Sequence, residues 1–379
     1  MNESADPSDV LGVLRDGIPR TKSELAQITG RARSTVSSRL EELLQRGLVE
    51  QLDKTISTKG RPSALYALGK ERRLIGAIDL GAHHGVLAVT DLTGQVLNAQ
   101  KMTLDIAEGP VGILDLALKT IAALLAELNR SDDDLIGIGV GLPGPVEHET
   151  GMPVSPPIMP GWDRFDVKQH VRKTFDVPVV VDNDVNVMAV GEYVTDDSDE
   201  ADFLMVKVAT GIGAGVIAGG NLIRGRDGAA GDIGHIQVEA GEERMCRCGQ
   251  IGCCEAFASG NGVAQTLTRM GIDARDAVDV VNLVRGGDIE STRVVREAGR
   301  TIGAALASCI SVLNPARIVI GGEMAQVGEP LLAGIREVIY QRSQPLATKH
   351  LQIVTASNNE HAGVIGASRL VQDVIFSMQ

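Results

Sequence analysis

His235, Cys246, Cys248 and Cys253 are the residues whose types and spacing most directly suggest chemistry. The three thiols lie within Cys246-Arg247-Cys248-Gly249-Gln250-Ile251-Gly252-Cys253, and with one imidazole they make a Cys3His set that fills a tetrahedral zinc shell. No ligand position is left for water, so the expected ion is a structural zinc and not a catalyst. Cys254 is adjacent and reads either as a spare or as a competing ligand, while Cys309 lies on an apolar stretch and reads as core. Four of five cysteines within nine residues suit a metal site in a reducing cytoplasm better than a disulfide frame. Asp232, His235 and Glu255 bracket the cluster, so a bound metal would fix polar groups around one pocket.

A second constellation is Val181-Asp182-Asn183-Asp184-Val185-Asn186. An acid beside an amide after an apolar strand can receive two neighbouring hydroxyls, as a sugar requires. The competing reading is a strand-to-helix cap. Three glycine turns, at Asp79-Leu80-Gly81, Thr210-Gly211-Ile212-Gly213-Ala214-Gly215 and Gly321-Gly322, offer backbone amides that can hold phosphates, or simply end strands.

The third constellation is near the N-terminus. Arg31, Arg33, Ser34, Thr35, Ser37 and Arg39 cluster at the start of an expected helix. Such residues at that position meet base edges and phosphates when a helix enters a major groove. Lys59-Gly60-Arg61-Pro62 would put a guanidinium on a narrow tip able to enter a minor groove. The bland alternative is a helical capping or dimerisation module with an ordinary charged face.

The elements that must position these residues fall into unequal parts. Thr21-Lys22-Ser23-Glu24 is a capping-box pattern opening a short helix that stops at Gly30. A second helix begins near Ala32 to Ser34, carries Val36, Leu40, Leu43 and Leu44 at helical spacing, and ends at Gly47. Residues 48–52 and 64–68 read as two strands of a hairpin, which makes residues 1–72 a winged helix-turn-helix. From Leu74 onward short apolar strands alternate with helices: 74–80, a second from Gly85, 136–140, 177–181, 203–208 and 317–320. This pattern predicts an α/β body of two lobes, 73–190 completed by a C-terminal helix over 362–379, and 191–361 carrying the zinc site. No internal repeat of 20–50 residues is evident.

Taken together, these motifs resemble the ROK family of repressors and sugar kinases, and specifically its repressor branch with an N-terminal winged helix. The most specific piece is Gly231-Asp232-Ile233-Gly234-His235 with the Cys246/Cys248/Cys253 run and Glu255. Gly141-Leu142-Pro143-Gly144-Pro145-Val146, Pro160-Gly161-Trp162 and Asn183-Asp184 support it. The resemblance implies an actin/hexokinase-like fold, a structural zinc, and a dimer or dimer of dimers on operator DNA. It also implies that Asn183, Asp184, His235 and Glu255 contact a sugar, with Asp232 beside them, and that Asp184 stands where the family's kinases keep their base. Those kinases carry Gly-Gly-Thr in the first phosphate loop, whereas this chain has Gly81-Ala82-His83. A Cβ at 82 and an imidazole at 83 crowd the phosphate path, so the base position is expected to be vestigial and the chain not an enzyme. The alternative is an ATP-dependent sugar kinase with an appended DNA-binding domain.

Composition agrees once it is divided. The net charge is −13 from 36 basic and 49 acidic side chains, which looks wrong for a DNA binder. Residues 1–72 nevertheless hold 12 basic and 10 acidic side chains, and residues 20–61 hold 9 and 5. The expectation is an acidic sensor body carrying a small basic head. One Trp, three Tyr and five Phe are too few for a surface that stacks bases or sugars on rows of rings. No apolar run reaches the roughly 18 residues of a membrane span, and the acidic start shows no signal core, so a cytoplasmic chain is expected. The partners expected are operator double-stranded DNA, a small sugar effector and a second copy of the chain.

Overall fold

The computed structural model describes residues 10–56, 63–70, 72–196, 200–239, 243–357 and 360–377. Among these, no helix is long and apolar enough to cross a membrane.

The N-terminal elements are α1 (Val10–Leu14), β1 (Arg20–Thr21), α2 (Lys22–Thr29), α3 (Arg33–Gln45), β2 (Val49–Ile56) and β3 (Ser63–Leu68). The capping box forms as the sequence predicts. Thr21 Oγ1 accepts from the Glu24 amide, and the Glu24 carboxylate accepts from the Thr21 amide. Gly30 ends α2 in the left-handed region, where a residue without Cβ costs least. Helix α3 has Ala32 at its N-cap and no side-chain cap, so its first amides stay open toward the face that carries Arg33, Ser34 and Thr35. Val36, Leu40 and Leu43 turn inward and are fully buried. Two elements lie outside the sequence expectation, α1 and β1. Strand β1 is only two residues long, yet it completes a three-stranded sheet in the order β1-β3-β2. A pair that short has no periodicity to read.

The remaining chain builds two five-stranded sheets. The first comprises β4 (Leu74–Leu80), β5 (His84–Asp91), β6 (Val96–Thr103), β7 (Leu135–Leu142) and β10 (Val179–Asn183), in the order β10-β7-β4-β5-β6. Helix α4 (Pro110–Glu127) packs on it and buries Leu114, Leu118, Ile121 and Leu125, as their spacing requires. Strand β6 was not anticipated: it is an edge strand, half-buried to exposed along its length, and after Val96-Leu97 its residues are mostly polar with no sustained apolar run. A hairpin, β8 (Val146–Glu147) with β9 (Met152–Pro153), and α5 (Val167–Arg172) separate β7 from β10. The second sheet comprises β11 (Phe203–Val208), β12 (Ile212–Ala218), β13 (Asn221–Ile223), β14 (Arg317–Gly321) and β15 (Gln352–Thr355), in the order β13-β12-β11-β14-β15. Counted in chain order, both sheets read three-two-one-four-five, a topological duplication too long to register as a short sequence repeat. In each, the first strand pairs antiparallel with the second.

Helices α6 (Asp184–Thr195), α7 (Cys254–Ala258), α8 (Gly260–Arg269), α9 (Ala277–Arg285), α10 (Ile289–Leu313), α11 (Glu329–Arg342), α12 (Pro345–Thr348) and α13 (Ala362–Ser377) complete the chain. Contacts divide it into two compact units. One contains Met1–Val140, Asp166–Val181 and Ala367–Gln379, the other Gly141–Phe165 and Asp182–Gly366. These units differ from the lobes expected at 73–190 with 362–379 and at 191–361. The reason is local: α6 packs on β11 and β12, and Asn183 Nδ2 donates to Gly144 O at 3.0 Å. Both contacts draw residues 182–190 and 141–165 to the second unit. The helix-turn-helix falls in the first unit, where Leu11, Leu14, Leu40 and Tyr66 share one apolar cluster with Val371, Ile375 and Phe376 of α13.

Candidate sensor site and DNA-reading helix

The metal-type residues converge. The ligand atoms of His235, Cys246, Cys248 and Cys253 all lie within 4.8 Å of one another. Cys246 Sγ stands 3.6 Å from His235 Nδ1, and the Cys248 and Cys253 sulfurs are 3.7 Å apart. A tetrahedral ion with bonds of about 2.0 Å to nitrogen and 2.3 Å to sulfur needs edges of roughly 3.6 and 3.8 Å, so the residues fit such an ion. Local folding sets this up. The Cys246 amide donates to Gln250 O and the Gly249 amide to Cys246 O, closing a tight loop between two thiols. Arg244 anchors that loop to the helices behind it. Only 8% exposed, it donates to Ala256 O, Gly262 O and Thr266 Oγ1 and lies over the Phe257 ring. Without a metal, burial and the neighbouring thiols push Cys253 up to about 12, and burial raises Cys246. An ion must therefore displace protons to bind.

The adjacent cysteine does not join the set. Cys254 is 1% exposed, packs in the large core cluster of this unit, and its sulfur faces Thr301 O on α10. Burial alone is the leading reason its thiol is pushed up to about 12. Cys309 also packs against that core.

His235 links the cluster to carboxylates. With Nδ1 facing the sulfurs, its Nε2 lies 3.8 Å from the exposed Asp232. The segment Ile233–His235 is a single 3-10 turn, seated where Gly231 lets the chain approach β12: a Cβ there would come within 1.9 Å of Ala214 O. Glu255 points back from α7, its Oε1 3.9 Å from Cys246 Sγ and its Oε2 accepting from the Ile212 amide at 2.9 Å. Gly211, read as a possible phosphate cradle, has a steric duty here. A Cβ on it would meet Glu255 Oε2 at 2.5 Å.

Asn183 and Asp184 sit where β10 gives way to α6. Asn183 is the N-cap, accepting from the amides of Val185 and Asn186, so the capping role read as its alternative is present. Asp184 is buried, with Oδ1 accepting from the Val185 amide at 2.9 Å. Three partners were missed in the sequence. Lys207 on β11 pairs with Asp184 at 2.7 Å, Arg224 pairs with Asp182 at 2.6 Å, and Asn186 Nδ2 donates to Asp182 at 2.7 Å. A lone lysine inside the apolar strand Phe203-Leu204-Met205-Val206-Lys207-Val208 was the available signal. The same β11–β12 hairpin thus holds Asp184 through Lys207 and Glu255 through Ile212.

On the other unit, the turn at Gly81 closes with its amide donating to His84 O, and Ala82 O accepts from the Ile106 amide. Arg31, Arg33, Ser34 and Thr35 are exposed around the start of α3, whereas Ser37 and Arg39 are half-buried and Arg39 turns to Glu42 at 3.0 Å. Lys59 and Arg61 lie outside the described residues.

Comparison with known proteins follows the two parts of this geometry. The ROK family profile matches residues 75–374, and the IclR helix-turn-helix domain profile matches residues 8–53. The chain is 31% identical to the DNA-binding transcriptional dual regulator NagC of Escherichia coli, over 93% of this chain and 89% of that one. It is 28% identical to the xylose repressor of Caldicellulosiruptor bescii, over 96% and 94%. A solved ROK-family transcriptional regulator, described as a homolog of the E. coli MLC protein, superposes with a TM-score of 0.83 at 23% identity, covering 99% of this chain and 98% of that one.

Proposed function

This chain belongs to the ROK family, and from that membership we propose that it is a sugar-responsive, DNA-binding transcriptional repressor of carbohydrate genes. The observation that carries this reading is the presence of both halves of such a device in one chain. An open helix start bearing Arg31, Arg33, Ser34 and Thr35 precedes a body in which Asp184 and Glu255 are fixed by one hairpin. Arg31, Arg33, Ser34, Thr35, Ser37 and Arg39 contact the operator, with Lys59 and Arg61 on the wing. Asn183, Asp184, Asp232, His235 and Glu255 receive the hydroxyls of a small sugar. The ion is zinc, which four ligands without an open position make structural. Its work is to hold His235 and the Cys246 loop in place, so that Asp232 and Glu255 keep their positions.

The functional unit is a homodimer or a dimer of dimers, because paired recognition helices are what read a palindromic operator. Sugar binding alters operator affinity only through a preference for one arrangement of the assembly. Catalysis is not part of the function. Ala82 and His83 crowd the phosphate path, and the carboxylate of Asp184 is engaged by Lys207.

A gel shift on DNA upstream of the chain's own gene, run with and without D-xylose, D-glucose, N-acetyl-D-glucosamine and its 6-phosphate, tests this. The expected result is a specific complex whose mobility or affinity changes with one sugar. No specific complex would sink the proposal. Prolonged chelation should release one zinc per chain and abolish the sugar response. Robust ADP release with any of these sugars would instead establish the kinase reading.

A further inference from the structure

Asp182 and Asp184 are both buried acids, at 4% and 6% exposure, and each is matched by a cation. Lys207 Nζ lies 2.7 Å from Asp184 Oδ2, and Arg224 Nε 2.6 Å from Asp182 Oδ2. The remaining oxygens are also occupied. Asp182 Oδ1 accepts from the Asn183 amide and from Asn186 Nδ2, and Asp184 Oδ1 from the Val185 amide. Asp182 is thereby spent on holding the segment. A carboxylate has about four acceptor sites, so Asp184, bonded to Lys207 Nζ and the Val185 amide, retains capacity for a ligand hydroxyl.

We propose that Lys207 is the positioning residue of the sugar site, and that its pairing with Asp184 selects an uncharged sugar over a sugar phosphate or uronic acid. The proposal rests on the reading of Asn183 and Asp184 as sugar contacts. Two consequences of the ion pair carry it. The 2.7 Å contact with the Lys207 ammonium and the Val185 amide hold the Asp184 carboxylate in one orientation, so its remaining acceptor sites are presented to a hydroxyl in a fixed direction. The pair also leaves the Asp182–Asn186 segment electrically neutral, since Lys207 and Arg224 are each matched by one acid. A phosphate or carboxylate entering a buried site needs a cation to offset its lost hydration. The cations bonded to this segment are committed, and Asp232 and Glu255 add negative charge on the same unit. Hydroxyls need acceptors and donors only.

The test uses the full-length protein with Lys207→Met and Lys207→Arg. Carboxyl-carbon NMR of aspartate-labelled protein at one neutral pH, with Asp184→Asn for assignment, reads the environment of the Asp184 carboxylate without any ligand. Lys207→Met should move the Asp184 carboxyl resonance away from its parent position, and Lys207→Arg should leave it close to that position, because only arginine keeps a cation on Asp184 Oδ2. Calorimetry with D-glucose, D-xylose, N-acetyl-D-glucosamine and the 6-phosphates of glucose and N-acetylglucosamine reads the ligand class. An uncharged sugar should bind at least tenfold tighter than any phosphate. Lys207→Met should weaken that sugar about tenfold, and Lys207→Arg should restore most of it. Thermal melts identify a variant that fails to fold, in which case Lys207→Gln replaces Lys207→Met. An unmoved Asp184 carboxyl resonance in the neutral variant overturns the positioning role. Tighter binding of a phosphate than of its parent sugar overturns the selectivity. If no sugar binds the parent protein, the sugar reading itself falls, and the carboxyl resonance alone decides whether Lys207 holds Asp184.

Discussion

Gly211 and Glu255 illustrate how much of the site is decided one residue at a time. The Glu255 carboxylate occupies the space that a side chain at 211 would fill, and its Oε2 takes the Ile212 amide. Gly211→Ala should therefore displace Glu255 while leaving the metal ligands in place. The expected outcome is about a tenfold loss of sugar affinity by calorimetry with unchanged zinc content, roughly the cost of one lost hydrogen bond to a charged group. The residues of this site were legible in the sequence to different degrees. His235 and the three cysteines announce themselves because metal ligation demands rare types at short spacing, and the structure brings all four together. Lys207 and Arg224 did not, since a buried ion pair is defined by two positions far apart in sequence. Asp182 and Arg224 are 42 residues apart, Asp184 and Lys207 23.

At the scale of the element, the head of the chain is the most local and hence the most readable part. The capping box of α2 satisfies two orphan amides reciprocally, and Thr21→Ala should cost about 1 kcal/mol in stability of the head, measured by chemical denaturation. The backbone and side chain of Thr21 hold the Glu24 carboxyl below its ordinary range. The sign follows: a carboxyl lowered on folding contributes stability at pH values above its unfolded value, and that contribution is lost as pH falls through the folded one. Thr21→Ala keeps the backbone amide, the larger cause, and removes only the hydroxyl, so it should shallow without abolishing the acid limb of the head's stability profile below about pH 4.5, leaving neutral pH to show the lost cap. An unchanged acid limb would contradict the box. Two of the strands the sequence did not reveal share a property. Strands β1 and β6 owe their existence to a neighbour's hydrogen-bonding edge, and their own residues carry no sustained apolar pattern.

At the scale of the whole molecule, charge and chain path matter most. The total of −13 conceals a head that is basic where it reads DNA, 9 against 5 over residues 20–61. Few phosphate contacts are available from such a head, so operator affinity should rest on them and fall with salt. Fluorescence anisotropy between 50 and 200 mM salt should give a straight line of log affinity against log salt with a negative slope. A flat line would sink the electrostatic account. The chain path adds a feature no composition reveals. Helix α13 returns from the far end of the sequence to the head: Arg15 pairs with Asp373 at 2.7 Å and lies over the Phe376 ring. The apolar core of the helix-turn-helix is completed by Val371, Ile375 and Phe376, so the head and the last helix share one cluster.

By itself the sequence determined the helix-turn-helix with its hairpin, the four His and Cys residues that come together, the α/β alternation and the family. Each depends on residue types at short separations or on periodic burial, which a linear reading preserves. Only the tertiary structure decided which cations meet Asp182 and Asp184, why Gly211 has no side chain, that Cys254 faces the core, and that α13 closes the head. Those outcomes depend on through-space partners tens to hundreds of residues apart, and burial makes such contacts strong while leaving no local trace of them.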